Sequence, residues 1–251
     1  MERNGFMGWK LLFCIKAQKT ELDGKFKQKM KVGLCSIFMI ASLHAQKGKK
    51  VDSIHRPGNF YDKIDQFKMF PICEDDIVFL GDSITEGTQW GELLGIENAV
   101  NRGISGDTTF GVLERLGEVT KGVPDKVFIL IGVNDLSRNI PDDIIIRNYR
   151  KIIHKIQKES PGTEIYIQTL LPVNGTFTRF KSHYNKAPNI LHINEALRNL
   201  ADQKNTNLID LYPQFLDDKG RLDFKYTNDG LHLTPKGYIH WANLLKAYLD
   251  R

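Results

Sequence analysis

Residues 77–83 read Ile77-Val78-Phe79-Leu80-Gly81-Asp82-Ser83, and residues 127–134 follow the same plan, Val127-Phe128-Ile129-Leu130-Ile131-Gly132-Val133-Asn134. Each is an unbroken apolar run that stops at a glycine and passes directly into polar residues. A strand with one wet face would alternate apolar and polar, whereas a continuous run suits a parallel strand covered on both faces. Ile165–Leu170, closed by Pro172, and Leu208–Leu211 give two more such runs, and the stretch around Ala99-Val100 gives a short fifth.

Between the runs, apolar residues recur at helical spacing. Val112, Leu113 and Leu116 form one set; Ile145, Tyr149, Ile152, Ile153 and Ile156 form another after Pro141-Asp142-Asp143. Ile193, Leu197 and Leu200 form a third, and Tyr238, Trp241, Leu244, Leu245 and Tyr248 a fourth after Pro235. Acidic residues in a first turn and proline at the first position mark helix starts. Strands alternating with helices predict an α/β fold, a three-layer α/β/α sandwich of flavodoxin-like type with a central parallel sheet of about five strands. Ligands in such sheets bind beyond the carboxyl ends of the strands, which is where Gly81-Asp82-Ser83 and Gly132-Val133-Asn134 fall.

The chain has 251 residues, enough for one large core, and a net charge of +5. Residues 1–45 hold eight Lys and Arg against Glu2, Glu21 and Asp23, which accounts for the whole excess and leaves residues 46–251 neutral. A neutral body lacks the counterion-release drive for binding nucleic acid, so no nucleic-acid partner is expected. From Met30 the chain reads MKVGLCSIFMIASLHAQ, with a basic start, an apolar run from Val32 to Leu43, and Ala45-Gln46. That layout predicts a signal peptide starting at Met30, with an upstream extension before it and an exported, periplasmic or secreted product. The apolar run is too short for a comfortable membrane span. Residues 46–74 are read as a linker and lead-in, and residues 75–251 as the functional domain. Cys14 and Cys35 lie in the leader; Cys73 is read as a small packing side chain without a disulfide, not a nucleophile.

Chemistry-bearing residues fall in four clusters. Ser83 follows the first strand at a helix start, where its hydroxyl and its own N–H can face a ligand; alone, it is equally a helix cap. Asn101-Arg102-Gly103-Ile104-Ser105-Gly106-Asp107-Thr108 is glycine-rich, so a bare backbone N–H can approach a ligand closely. Asn134 offers a carboxamide, a competent neutral oxyanion donor. Asp229 and His232 stand three residues apart, and on one helical turn the carboxylate would hold Nδ1–H while Nε2 faces the serine.

These clusters, in this order, resemble the signature blocks of the SGNH (GDSL-like) hydrolase superfamily. The strings NRGISGDTTFGVLERL (101–116) and DGLHLTPKGY (229–238) are similar above all to the platelet-activating-factor acetylhydrolase branch and to bacterial carbohydrate acetylesterases. The resemblance covers about residues 75–250. It implies Ser83 as nucleophile, His232 as general base and then acid, and Asp229 as the group that orients the imidazole. It implies an oxyanion hole from the N–H groups of Ser83 and Gly103 and the side chain of Asn134. The implied activity is that of a serine ester hydrolase removing a small acyl group, acetyl, from a sugar or similar ester. Lysophospholipase, thioesterase or arylesterase action is the alternative enzyme reading; a silent carbohydrate- or lipid-binding module is the alternative from another class.

The remaining candidates are assigned to structure. Asp82 and Asp135 are expected to tie loops, Asp107 to cap a helix, and His154, His192 and His240 to be structural or solvated. Trp90 is read equally as acyl-pocket wall or core, and residues 174–189 equally as a substrate-facing loop or a surface excursion. No metal-ligand spacing such as His-Glu-x-x-His occurs, and neither metal nor cofactor is expected. The residues leave the oligomeric state open, a homodimer included.

Overall fold

A computed structural model describes residues 51–201 and 205–249. The leader and its expected cleavage site lie outside the described residues, as does the linker as far as Lys50. In chain order the elements are α1 (Phe60–Met69), β1 (Ile77–Gly81), α2 (Ser83–Glu86), α3 (Trp90–Leu94), β2 (Ala99–Gly103) and α4 (Thr109–Thr120). They continue with β3 (Lys126–Leu130), α5 (Val133–Ser137), α6 (Asp142–Glu159), β4 (Glu164–Gln168), α7 (Lys181–Tyr184), α8 (Ala187–Leu200), β5 (Thr206–Ile209) and α9 (Pro235–Leu249).

All five strands are parallel, in the order β2-β1-β3-β4-β5. This is the flavodoxin-like order, and its switch point lies between β1 and β3, where the chain turns from building one side of the sheet to building the other. One layer of helices contains α1, α4, α6 and α8; α3 and α9 lie together on the other. Among the described residues no helix is long and apolar enough to cross a membrane.

The apolar runs are buried on both faces, which is why they do not alternate. Phe79, Phe128 and Tyr166 are register neighbours on β1, β3 and β4. Their rings form a row, with centroids 5.0 and 4.6 Å apart. Trp90 stacks on Phe79 at 3.9 Å and meets Trp241 of α9 edge-on at 4.8 Å. Such ring pairs add roughly 0.5–1.5 kcal/mol each beyond their buried area. Trp90 is thus a core residue and does not line an acyl pocket.

One element differs from expectation. The lead-in carries α1, whose Phe60, Ile64 and Phe67 share one face and cluster with Ile104 beside the glycine-rich loop. Cys73 is half-buried, while Cys14 and Cys35 lie outside the described residues.

Candidate active site

Asp82 begins the construction. Its Oδ1 accepts from the Ile84 N–H at 3.0 Å, capping α2 and fixing Ser83 at the first helical position. The Ser83 N–H is therefore one of the helix-start donors without an intrahelical acceptor, and it makes no hydrogen bond among the described residues. Ser83 Oγ lies 3.0 Å from His232 Nε2, and His232 Nδ1 lies 2.8 Å from Asp229 Oδ2. The first and last clusters of the sequence, 149 residues apart, thus meet in one hydrogen-bonded chain.

Asp229 and His232 do not occupy a helical turn. They flank a bend in which Gly230 takes φ +80°, and a Cβ there would sit 2.4 Å from the Asn174 carbonyl oxygen. The bend is closed by Asp229 Oδ1, which accepts from the N–H groups of Leu231 and His232 at 2.9 and 2.8 Å. Burial works to raise the Asp229 pKa, but the His232 imidazole and these two N–H groups prevail and hold it below the usual carboxylate value. An ionised Asp229 can only accept, so Nδ1 carries the proton and the Nε2 lone pair faces Ser83.

Asn134 projects from the start of α5, directly after β3. Its Nδ2 donates to the Asp107 carbonyl at 3.0 Å, and its Oδ1 lies 3.2 Å from His183 Nε2. Gly103 departs from its expected role. Its N–H donates to Asn101 Oδ1 at 2.8 Å and is engaged, and a Cβ there would lie 2.3 Å from the Glu86 nitrogen. Glycine at 103 permits close packing of β2 on α2, not approach to a ligand. Gly106 stands instead beside Asn134: it has φ +79°, precedes Asp107, and its N–H has no acceptor among the described residues.

Buried carboxyls support these groups from below. Asp107 pairs with Arg115 at 2.9 Å, both side chains inaccessible, while Arg115 also donates to the Gly81 carbonyl. The cap of α4 is Thr108, whose hydroxyl oxygen accepts from Gly111, and not Asp107 as expected. Asp135 accepts from both the N–H and the hydroxyl of Thr109, so Asp82 and Asp135 do tie local backbone, as anticipated. His192 is an exposed partner of Asp142, His154 is exposed, and His240 stacks on Tyr226.

Burial pushes Asp82 and Asp135 up to about 7. A carboxyl with a folded pKa above its unfolded 3.8 stabilises the fold below that unfolded value. The contribution is lost as pH rises through the folded pKa, at about 1.4 kcal/mol per pKa unit. Asp82→Asn keeps the cap acceptor but has no proton to lose. Its melting temperature relative to wild type should therefore climb steadily between pH 4 and 7. Thermal melts across that range decide it; a constant difference would mean that Asp82 is charged throughout.

Residues 174–189 prove to belong to the site. Phe180 meets the His232 ring edge-on at 5.0 Å, His183 is buried against Asn134, and the Tyr184 hydroxyl donates to the Asp229 carbonyl. None of these three stood out as a site residue in the sequence. The signal for the loop was its break in periodicity, with aromatic residues at the carboxyl edge of the sheet.

A serine, an imidazole and a carboxylate joined in sequence at the switch point of a parallel sheet define a flavodoxin-like acylhydrolase. Residues 79–239 match the GDSL-like Lipase/Acylhydrolase family, and the chain belongs to that family. It is 30% identical over 171 residues to the platelet-activating factor acetylhydrolase IB subunit alpha2 of Rattus norvegicus, spanning 66% of this chain and 72% of the relative. A solved Streptococcus pneumonia protein described as a platelet activating factor superposes with TM-score 0.71 at 32% identity, covering 76% of this chain and 92% of that one. A GDSL-like lipase from Bacteroides thetaiotaomicron shares the fold, with TM-score 0.67 at 22% identity over 76% and 97% of the two chains.

Proposed function

We propose that this ester hydrolase removes a small acyl group, acetyl, from a sugar or similar alcohol through a covalent acyl-enzyme. The observation that carries the mechanism is the continuous contact from Ser83 Oγ through His232 to Asp229. His232 Nε2 takes the Ser83 proton as Oγ attacks the ester carbonyl, and Asp229 steadies the imidazolium that results. The carbonyl oxygen becomes an oxyanion facing Asn134 Nδ2 and the unengaged N–H groups of Ser83 and Gly106. Collapse expels the alcohol, which receives the proton from His232. Water then repeats the sequence on the acyl-enzyme and releases the acid.

Acetyl is supported by the relatives at 30% identity, which are named as acetylhydrolases. The sugar side is supported by an aromatic face beside the Asp229–His232 bend. Phe177 packs against Gly230, and its ring lies 5.2 Å from that of Phe224, which is 52% exposed. An exposed flat ring on the side of the Asp229–His232 bend suits the apolar face of a pyranose.

The test is a panel of esters. kcat/KM for p-nitrophenyl acetate should exceed that for the octanoate by at least about tenfold, on the order of 1.4 kcal/mol in the barrier. Acetylated oligosaccharides should release acetate, and lysophospholipids should release no fatty acid. A preference for octanoate, or turnover of the lysophospholipids alone, would replace this reading with a long-chain lipase.

A further inference from the structure

The Asn134 carboxamide is held at both ends, and the two partners fix which end is which. The Asp107 carbonyl can only accept a hydrogen bond, so the amide end 3.0 Å from it is the NH₂. The opposite end is then the oxygen, which also can only accept, and it lies 3.2 Å from His183 Nε2. That contact is a hydrogen bond only when Nε2 carries a proton. A neutral imidazole has one N–H, and the Ser182 hydroxyl, 3.3 Å from Nδ1, can donate to the lone pair of the other nitrogen. With the proton on Nε2 the chain of donors runs one way, from Ser182 O–H through His183 Nε2–H and Asn134 Nδ2–H to the Asp107 carbonyl. Only one of the two Nδ2–H bonds is used in it.

We propose that His183, as the neutral Nε2–H tautomer, is a positioning residue for the oxyanion hole. It holds the Asn134 amide plane so that the second Nδ2–H is aimed at the oxygen of the ester attacked by Ser83. The inference rests on the reading of Asn134 as an oxyanion donor. Oxyanion stabilisation depends on donors oriented before the charge develops, and a displacement near 1 Å can cost on the order of 10²-fold. Without the His183 contact the amide is fixed at one end only and can turn about its terminal torsion.

The neutral state has its own consequence. Burial, and then repulsion from His232, push His183 down to about 4. At neutral pH the site therefore holds no second imidazolium to oppose the charge that His232 gains when it takes the serine proton. The short helix α7 also links both halves of the site, since the Tyr184 hydroxyl next to His183 donates to the Asp229 carbonyl.

A double-mutant cycle on p-nitrophenyl acetate tests this with Asn134→Ala, His183→Leu, their combination, and His183→Gln. His183→Leu should lower kcat about tenfold with KM nearly constant, the mark of a transition-state effect. The Gln variant, whose side-chain N–H can reach Asn134 Oδ1, should recover most of that loss. In the Asn134→Ala background His183→Leu should cost nothing further in kcat, because the group it positions is already gone. Equal losses in both backgrounds, or a Leu variant within twofold of wild type, would overturn the inference while leaving the oxyanion reading intact. Full activity of Asn134→Ala would overturn both. Should the Leu variant not fold, ¹⁵N spectra of histidine-labelled wild type decide, with the His183 signal assigned by its loss in the Gln variant. A neutral Nε2–H imidazole persisting to about pH 5 is expected, and an Nδ1–H tautomer would refute the proposal.

Discussion

Ser83→Ala is expected to abolish turnover, lowering kcat by a factor on the order of 10⁴–10⁶. At 1.36 kcal/mol per decade this corresponds to about 5.5–8 kcal/mol of barrier. The loss is large because no covalent intermediate can form, and His232 and Asp229 are then arranged around a nucleophile that is absent. Stability should hardly change. Ser83 is half-buried, and its hydroxyl contacts His232, whose side chain is itself partly exposed. Water can satisfy Nε2 in the variant, so no buried polar atom is stranded. Steady-state kinetics on an activated acetate ester, beside a thermal melt, separate the two effects. The variant should also resist labelling by a fluorophosphonate. Activity within about tenfold of wild type would remove Ser83 from the nucleophile's role.

The frame of this site was legible because parallel strands covered on both faces leave unbroken apolar runs. β1 and β3 were found to within a residue, and with them the positions of Ser83 and Asn134. β5 was placed two residues late, at Leu208–Leu211 instead of Thr206–Ile209. An edge strand pairs on one side only and accepts Thr206 and Asn207, so apolar content misjudges its start. The sequence reading takes residues 46–74 as linker and lead-in, although Phe60, Ile64 and Phe67 have the helical spacing of α1.

What the sequence could not hold was the direction of individual polar groups. Within Arg102-Gly103-Ile104-Ser105-Gly106 either glycine offers an N–H. The choice depends on the Asn101 side chain folding back onto Gly103, a contact two residues long but set by the strand and loop around it. His183 and Asn134 stand 49 residues apart, and only the return of the loop after β4 to the switch point brings them together. The Asp229–His232 pair was found by residue type, but on the wrong local geometry. A helical turn and a Gly230 bend both bring a carboxylate to an imidazole three residues on, and only backbone dihedral angles distinguish them.

Asn134 should act on the transition state alone, and its two variants should separate in an informative order. A carboxamide N–H gains little from a neutral ester carbonyl but much more from a developing oxyanion. Asn134→Ala should lower kcat by on the order of 10²–10³, about 3–4 kcal/mol, with KM little changed. Asn134→Asp should be worse. The Asp107 carbonyl, 3.0 Å from the present Nδ2, would then face a carboxylate oxygen, as would the developing oxyanion. A capping role predicts the reverse, since Asp caps helices as well as Asn does. That role is already disfavoured, because the residue preceding α5 is Gly132 and Asn134 is the second residue of the helix. Both variants lose the bond to Asp107, a change of about 0.5–1.5 kcal/mol in stability that melting curves register separately from kcat. Kinetics of the pair on one activated acetate ester therefore decide the assignment, and an Asp variant as active as wild type would end the oxyanion role for this side chain.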